Sequence, residues 1–292
     1  MAKAKPDIKQ EVTDRIIAAL EEGTAPWVKG WKGGNSATPV NGASGRHYNG
    51  VNVLLLWLEA DRCAYTSNKW YTYKQAAGLD AQVRKGEKGT KIVFWNIIEK
   101  EDEKTGELKK IFFTRYYTVF NADQIDGLEV EAPVEVTPAE RHARADALIV
   151  ATQADVIYGR GRACYSPSLD RIEMPAIEQF KHESEYYSTH IHELAHWTGA
   201  KSRLDRDLTG RFGSASYAME ELVAELSAAF VCAEIGIDGK LQHAEYISSW
   251  VAKLKEDKNA IFTAASAARK ASDYLTAFEE EAVEVAGLAA AA

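Results

Sequence analysis

One heptapeptide limits this chain more than any other stretch: Ile191-His192-Glu193-Leu194-Ala195-His196-Trp197. It contains the pattern H-E-x-x-H within a segment whose composition suits a helix. On a helix, positions i and i+4 share a face, so His192 and His196 aim two imidazoles at one point, as a bound metal ion requires. Glu193 lies about 100° around the helix from His192, within reach of a water that such an ion would hold. Leu194 and Ala195 are uncharged and can pack inward. The plain alternative is two core-facing histidines beside a solvated glutamate, and the helical context favours the metal.

Two histidines do not complete a site. A catalytic zinc takes three protein ligands and keeps a fourth position for water. Downstream, Tyr217-Ala218-Met219-Glu220-Glu221-Leu222-Val223-Ala224-Glu225 puts three carboxylates on one predicted helix. Glu221 and Glu225 share a face, packed about by Leu222, Val223, Ala224 and Leu226. A carboxylate on the buried side of an apolar helix is costly unless a cation compensates it. Glu221 is therefore the first choice as third ligand. Glu225 is the alternative, or else the carboxylate that orients an imidazole from behind. Glu220 reads as a solvated surface residue.

The remaining polar groups carry weaker signals. His190 points to a different face, while His182 and His243 are isolated. Arg203-Leu204-Asp205-Arg206-Asp207 reads as a solvated charge cluster, with Asp205 or Asp207 as outer partners of the histidines. Tyr186, Tyr187 and Tyr217 are near enough in sequence to donate to an oxyanion. The chemistry expected is that of a peptidase, with Zn2+ (or another divalent ion such as Mn2+) activating water and Glu193 as general base. Residues 171–174 form a brief strand closed by Pro175, a pattern that suits a sheet edge able to receive an extended peptide.

With 292 residues, 46% of them hydrophobic, the chain can bury enough surface for two domains. Residues 1–125 hold 19 basic against 15 acidic side chains, and the remainder holds 16 against 28. The first part predicts a helix over 7–22, a Gly/Pro/Asn-rich loop over 24–50, a buried helix over 51–60 and a short helix over 71–77. A long hairpin of strands 91–98 and 111–120 follows. Residues 129–138 are acidic and proline-punctuated, as a linker is. The expected division is 1–128, a linker at 129–138, and 139–292. The second part predicts helices over 139–153, 177–181, 184–198, 217–234, 244–255 and 258–278, short strands near 156–159, 163–165 and 171–174, and a frayed alanine-rich end from 283. The fold class is α+β, with a small sheet beside the H-E-x-x-H helix.

Aromatic side chains interleaved with lysine and arginine suit single-stranded nucleic acid, because bases stack on rings while phosphates meet positive charge. In the first part Trp27, Trp31, Tyr48, Trp70 and Tyr73 alternate with Arg46, Lys74, Arg84, Lys85 and Lys88. The competing reading makes many of these rings the core of a domain of this size. The Arg84-Lys85-Gly86-Glu87-Lys88-Gly89 turn is the best single piece, since glycine lets backbone N–H groups approach phosphates. No apolar run approaches the length of a membrane span, and no apolar signal core follows the N-terminus. Three cysteines without C-x-x-C spacing fit a reducing cytoplasm.

Taken together, these segments resemble the ArdC-type antirestriction proteins of conjugative plasmids, whose N-terminal region is also similar to plasmid primases of the TraC type. In the first part the resemblance rests on Ala25-Pro26-Trp27, Gly45-Arg46-His47-Tyr48-Asn49-Gly50-Val51-Asn52, Trp70-Tyr71-Thr72-Tyr73-Lys74-Gln75-Ala76 and Val83-Arg84-Lys85-Gly86-Glu87-Lys88-Gly89. In the second it rests on His192-Glu193-Leu194-Ala195-His196-Trp197-Thr198-Gly199, Arg203-Leu204-Asp205-Arg206 and the 217–226 segment. It implies an N-terminal single-stranded-DNA-binding domain, a zincin-like metallopeptidase domain, and protection of incoming plasmid DNA from host restriction during conjugation. A protein of the host restriction system is then a candidate peptidase substrate. Two other readings stay open: an intracellular metalloprotease whose first domain recruits a protein, and a DNA-binding shield whose metal is structural.

Overall fold

A computed structural model describes residues 7–23, 25–27, 37–101, 108–129, 136–211, 214–237 and 246–290, with backbone alone for 95–101, 108–113 and 280–290. Trp31, the side chain of Trp95 and most of the expected linker lie outside the described residues. The chain opens with α1 (Ile8–Glu21), whose first turn is capped by the Asp7 carboxylate accepting from the N–H groups of Lys9 and Gln10. β1 (Val40–Asn41) leads to α2 (Val51–Cys63), which starts after Gly50 at φ +56°, a conformation that disfavours any side chain. β2 (Lys69–Tyr71) and α3 (Tyr73–Ala77) follow, the latter opened by a reciprocal Thr72–Gln75 capping box.

After β3 (Gln82–Val83) come the two long strands β4 (Thr90–Glu101) and β5 (Leu108–Asn121) and the short β6 (Ile125–Asp126). β4 and β5 pair antiparallel from Thr90↔Val119 to Glu101↔Leu108, which makes the expected hairpin longer at both ends. The first sheet runs β1-β2-β5-β4, and β3 pairs with β6. Alternation along β4 sends Ile92 into a small cluster with Leu56, Trp70 and Val119 and Val93 into the main core. The Asn52 side chain binds the Val93 backbone at both N–H and C=O, each at 2.8 Å, and so locks α2 to β4.

The second half begins with α4 (Pro138–Ala151), where Pro138 sits in the first turn and Thr137 and Glu140 form a capping box. A small sheet follows: β7 (Asp155–Ile157), β8 (Cys164–Ser166) and β9 (Arg171–Glu173) in the order β7-β9-β8. β9 is thus the central strand, parallel to β7 and antiparallel to β8. The expectation of a free edge at 171–174 is corrected accordingly, since Pro175 lies just past the paired register and costs the sheet no hydrogen bond. Residues 177–179 make only a single 3-10 turn where a helix was expected. Then come α5 (Glu183–Trp197), α6 (Ala215–Ile235), α7 (Ile247–Glu256) and α8 (Ala260–Ala290). The alanine-rich end continues α8 instead of fraying from 283, as the high helix propensity of alanine allows.

The two halves share a core. Val12, Ile16, Leu20 and Trp27 of the first half and Leu54 and Trp57 of α2 are continuous with Leu222, Leu226, Phe230, Trp250 and Ile261 of the second. Trp27 meets Trp250 edge-on at 5.9 Å, and Trp57 meets Phe230 at 5.8 Å. A second core gathers α4, β9, α5 and the other side of α6. Trp250 is fully buried, and its indole N–H donates to the Ala218 carbonyl at 2.7 Å. Trp250→Ala is therefore expected to cost about 3–5 kcal/mol and to lower the unfolding midpoint of both halves together. Denaturant titration with a probe in each half checks this, and two separated transitions would show the halves to be independent.

Candidate metal centre

α5 buries almost its whole length against α6 and the small sheet, with Ile191 and Leu194 fully inside the second core. Those apolar contacts fix the helix rotation that turns His192 and His196 toward α6. The His192 Nε2 atom lies 3.4 Å from Glu221 Oε2, and the His196 Nε2 atom lies 3.6 Å from the same oxygen. The two rings stand nearly perpendicular, with centroids 4.8 Å apart. Both distances exceed those of a good N–H···O bond. Tetrahedral coordination at bonds of about 2.0–2.2 Å separates ligand atoms by roughly 3.4 Å. One ligand atom from each of the three side chains falls within 4.8 Å of the other two, a spacing that accommodates a metal ion.

The electrostatics agree with the geometry. Burial resists charge on both partners, yet Glu220 and Glu221 push His196 up to about 10, and the two histidines hold Glu221 well below the usual carboxylate range. The cluster thus stabilises positive charge beside Glu221. A divalent ion supplies that charge while leaving both imidazoles neutral and able to ligate.

A second ring of residues surrounds the cluster. Glu225 lies 4.0 Å from His192 Nδ1. Glu220, expected on the surface, is instead half-buried behind His196, with its Oε1 atom 3.2 Å from Nδ1. Arg206 explains why a carboxylate is stable there: its Nε and Nη2 atoms donate to both Glu220 oxygens, at 3.1 and 2.7 Å. The rest of the fork donates to Thr198 Oγ1 and the Ala195 carbonyl. The 203–207 run is therefore not a solvated cluster throughout, and its contribution here is Arg206. Asp207 instead accepts from Thr209 on the surface. A Cβ at Gly199 would come within 2.9 Å of the Arg206 guanidinium, so the glycine permits the return of the chain to His196.

Glu193 is buried on the side of α5 that faces the sheet, close enough to raise the thiol of Cys164 in β8 beyond what burial alone does. Of the tyrosines, Tyr217 sits one turn before Glu221 on α6, and burial and the Glu221 carboxylate push its hydroxyl up. Tyr186 and Tyr187 are core residues. His190 is fully buried between the rings of Tyr158 and Tyr186, and burial holds it down to about 4, a neutral core histidine.

The first half separates its aromatics by burial. Trp27 and Trp70 are 6% and 1% exposed, so their ring faces cannot receive bases, and their assignment to nucleic-acid contact is corrected to core packing. Tyr48 is half-buried with its hydroxyl 3.4 Å from Asn41 Nδ2. Arg46, Lys74, Lys85 and Lys88 are exposed, as is Tyr73 at 55%. An open groove of about 720 Å³ brings Tyr73, Arg84, Lys85 and Phe120 together around Gly86. Arg84 is already braced there by Glu87 and Asp126, at 3.0 and 3.4 Å.

Comparison with known proteins places both halves. The family model for the N-terminal domain of anti-restriction factor ArdC matches residues 6–120, and that for a zincin-like metallopeptidase matches 143–267. The metal-free crystal structure of antirestriction protein ArdC from plasmid R388 superposes with a TM-score of 0.82, at 44% identity over 94% of this chain and 99% of that one. The chain belongs to the ArdC family of antirestriction proteins. The Mn(II)-bound structure of R388 ArdC superposes with a TM-score of 0.78, at 42% identity over 94% of this chain and 98% of that one. Protein y4eC of Sinorhizobium fredii (strain NBRC 101917 / NGR234) is 43% identical over 94% of both chains. Two DNA primases TraC of Escherichia coli are 41% and 39% identical over 97% and 96% of this chain, which spans only 28% and 20% of their lengths. The donor set, the fold and the Mn(II)-bound relative together support a divalent metal in this chain. Glu220→Ala and Arg206→Ala are each expected to weaken metal affinity by about 10–100-fold while His192, His196 and Glu221 remain, as competition with a chromogenic chelator would measure.

Proposed function

We propose that this chain is an antirestriction protein that binds single-stranded DNA without sequence preference and holds a divalent ion, zinc first, at His192, His196 and Glu221. Its setting would be the cytoplasm of a cell receiving plasmid DNA by conjugation. The observation that carries the proposal is the joining, in one ArdC-family chain, of a buried three-ligand cluster to a half with an exposed basic and aromatic groove. Relatives named DNA primase support nucleic acid as a partner. In the first half Tyr73 offers a ring face, while Lys85 and Lys88 and the Gly86 turn offer charge and backbone N–H groups to phosphates. Arg46, Tyr48 and Lys74 extend the same role, and Arg84 positions the turn. Three free cysteines suit a reducing compartment. No helix among the described residues is long and apolar enough to cross a membrane.

In the second half the residues are arranged for peptide hydrolysis of a host restriction protein or another protein substrate. The ion, when bound, would polarise a carbonyl and lower the pKa of water. Glu193 accepts the proton of the attacking water and returns it to the departing amine. Glu225 and Glu220 orient the two imidazoles, and Tyr217 is engaged with Glu221 and so is not the oxyanion donor. The outer edge of β8, above α5, offers N–H and C=O groups to an extended peptide. Burial favours a second reading as well: His192 is 1% exposed and Glu193 5%, a closure more typical of a structural metal than of a catalytic one.

Two measurements decide between these readings. Affinity for a short single strand is expected to fall with salt, log K against log salt having a slope of about −0.7 for each phosphate neutralised. Absent or salt-insensitive binding contradicts the DNA assignment. Glu193→Gln is expected to keep metal and fold and to abolish hydrolysis of any peptide substrate. Loss of antirestriction by that variant in a mating assay supports proteolysis as the working step, whereas full retention assigns the metal to structure.

A further inference from the structure

The loop that joins β7 to β8 reads Tyr158-Gly159-Arg160-Gly161-Arg162-Ala163. Its first half is anchored twice. The Arg160 backbone N–H donates to the Met174 carbonyl at 3.0 Å, and the Tyr158 ring stands edge-on to His190 of α5 with centroids 5.9 Å apart. Glu193 follows His190 by three residues, about 4.5 Å along the helix axis. At its far end the loop enters β8, where the thiol of Cys164 is acted on by both the Arg162 guanidinium and the Glu193 carboxylate. β8 is the outermost strand of its sheet. The loop therefore borders both the proposed general base and the edge at which a peptide would add.

The arginines of this region differ in what holds them. Arg171 pairs with Asp155 at 2.7 Å and Arg203 with Asp170 at 3.0 Å, so both are committed within the sheet and its turn. Arg160 and Arg162 are exposed, and among the described residues neither forms an ion pair. Glu173, the cross-strand partner of Cys164, meets its thiol at 4.0 Å and pairs with neither arginine. A thiol is a weak, neutral partner, so the contact of Arg162 with Cys164 leaves the guanidinium charge uncompensated. A Cβ at Gly159 or Gly161 would touch nothing within 4 Å, which leaves the loop open on that side. Tyr158 is 50% exposed and adds an apolar wall beside the two cations.

We propose that Arg160 and Arg162 select peptides carrying an aspartate or glutamate close to the scissile bond, with the carboxylate held by the guanidinium groups and its hydrocarbon stem laid on Tyr158. The inference rests on the peptide hydrolysis proposed above and gives its substrate a chemical class, an acidic segment of protein. A peptide paired along β8 runs past Cys164 toward the loop, and a side chain at that end meets two uncompensated positive charges. Guanidinium binds carboxylate through parallel, charge-assisted hydrogen bonds, which supply direction as well as attraction. The phosphates of a single strand carry the same sign of charge. The setting favours the peptide, because a strand edge offers the main-chain N–H and C=O groups that a peptide pairs with and a nucleic acid does not.

The test is cleavage of a proteome-derived peptide library by the full chain with Zn2+ or Mn2+, read by mass spectrometry, then kinetics on matched peptides with Glu or Gln at the selected position. Wild type is expected to cut beside Asp or Glu. Arg160→Ala/Arg162→Ala is expected to lower the Glu-to-Gln ratio of kcat/KM by about tenfold, the loss of a charge-assisted contact. Arg160→Glu/Arg162→Glu is expected to turn the preference toward Lys and Arg, a gain that a misfolded variant cannot show. The wild-type ratio is expected to shrink as ionic strength rises, a readout that needs no variant. Cleavage by wild type without acidic preference, a preference indifferent to salt, or one that survives both double variants overturns the inference and leaves hydrolysis standing. No cleavage of any library peptide by wild type with either metal overturns hydrolysis and the inference with it. An alanine pair that keeps the peptide preference but binds a labelled oligothymidylate more weakly reassigns the loop to nucleic acid and also overturns it.

Discussion

Glu221 is a carboxylate set 2% exposed on a helix whose neighbours are almost all apolar. Left alone, such a charge would cost several kcal/mol. Two imidazoles from α5 stand against it at 3.4 and 3.6 Å, and the cluster still favours additional positive charge. The same helix, α6, is where the two cores of the molecule meet. Leu222, Leu226 and Phe230 point into the core shared with α1 and α2, while Val231, Cys232 and Ile235 point into the core beneath α5. Neutralising Glu221 therefore bears on the packing of both halves. The metal centre and the interface between the halves are two faces of one helix.

The outer ring shows how that arrangement is held. His196 lies near the end of α5, where helix geometry alone would leave the ring free to turn. Glu220 fixes its Nδ1 side, Arg206 fixes Glu220, and Arg206 is in turn tied to Thr198 and to the Ala195 carbonyl. The chain returns from Thr198 to Arg206 through a turn that only Gly199 permits without displacing the guanidinium. Arg203 anchors the same turn from the other side, lying 3.9 Å over the Trp197 ring and bonded to Asp170 near β9. Sheet, turn and both helices thus converge on the orientation of one imidazole.

Much of this was legible in the sequence because periodicity and spacing act locally. The i, i+4 histidines and the apolar flanks of Glu221 point to a cluster from spacing alone, with Glu225 left as the alternative third member, and the long hairpin follows from two β-branched, aromatic runs. What the sequence concealed depends on contacts between distant segments. Glu220 and Arg206 look like surface charges until the 199–206 turn brings them together, half-buried, behind His196. Trp27 and Trp70 look like stacking platforms until α7 and the first sheet cover them. Pro175 suggests an edge strand, yet it falls two residues beyond the β9–β8 pairing and so does not disturb it. The acidic 129–138 segment reads as a boundary, while the apolar residues on either side of it pack into a common core.

The central claim is that a divalent ion on Glu221 stabilises the whole molecule through α6. Thermal unfolding of chelator-stripped protein, with and without added Zn2+ or Mn2+, tests it most directly when probes in each half are followed together. At free metal one hundred times Kd, the linkage amounts to about 2.7 kcal/mol. Both probes are then expected to shift upward in concert, and Glu221→Gln is expected to show no metal-dependent shift. A wild-type midpoint that does not move with either metal, or that moves for the second half alone, would contradict the account.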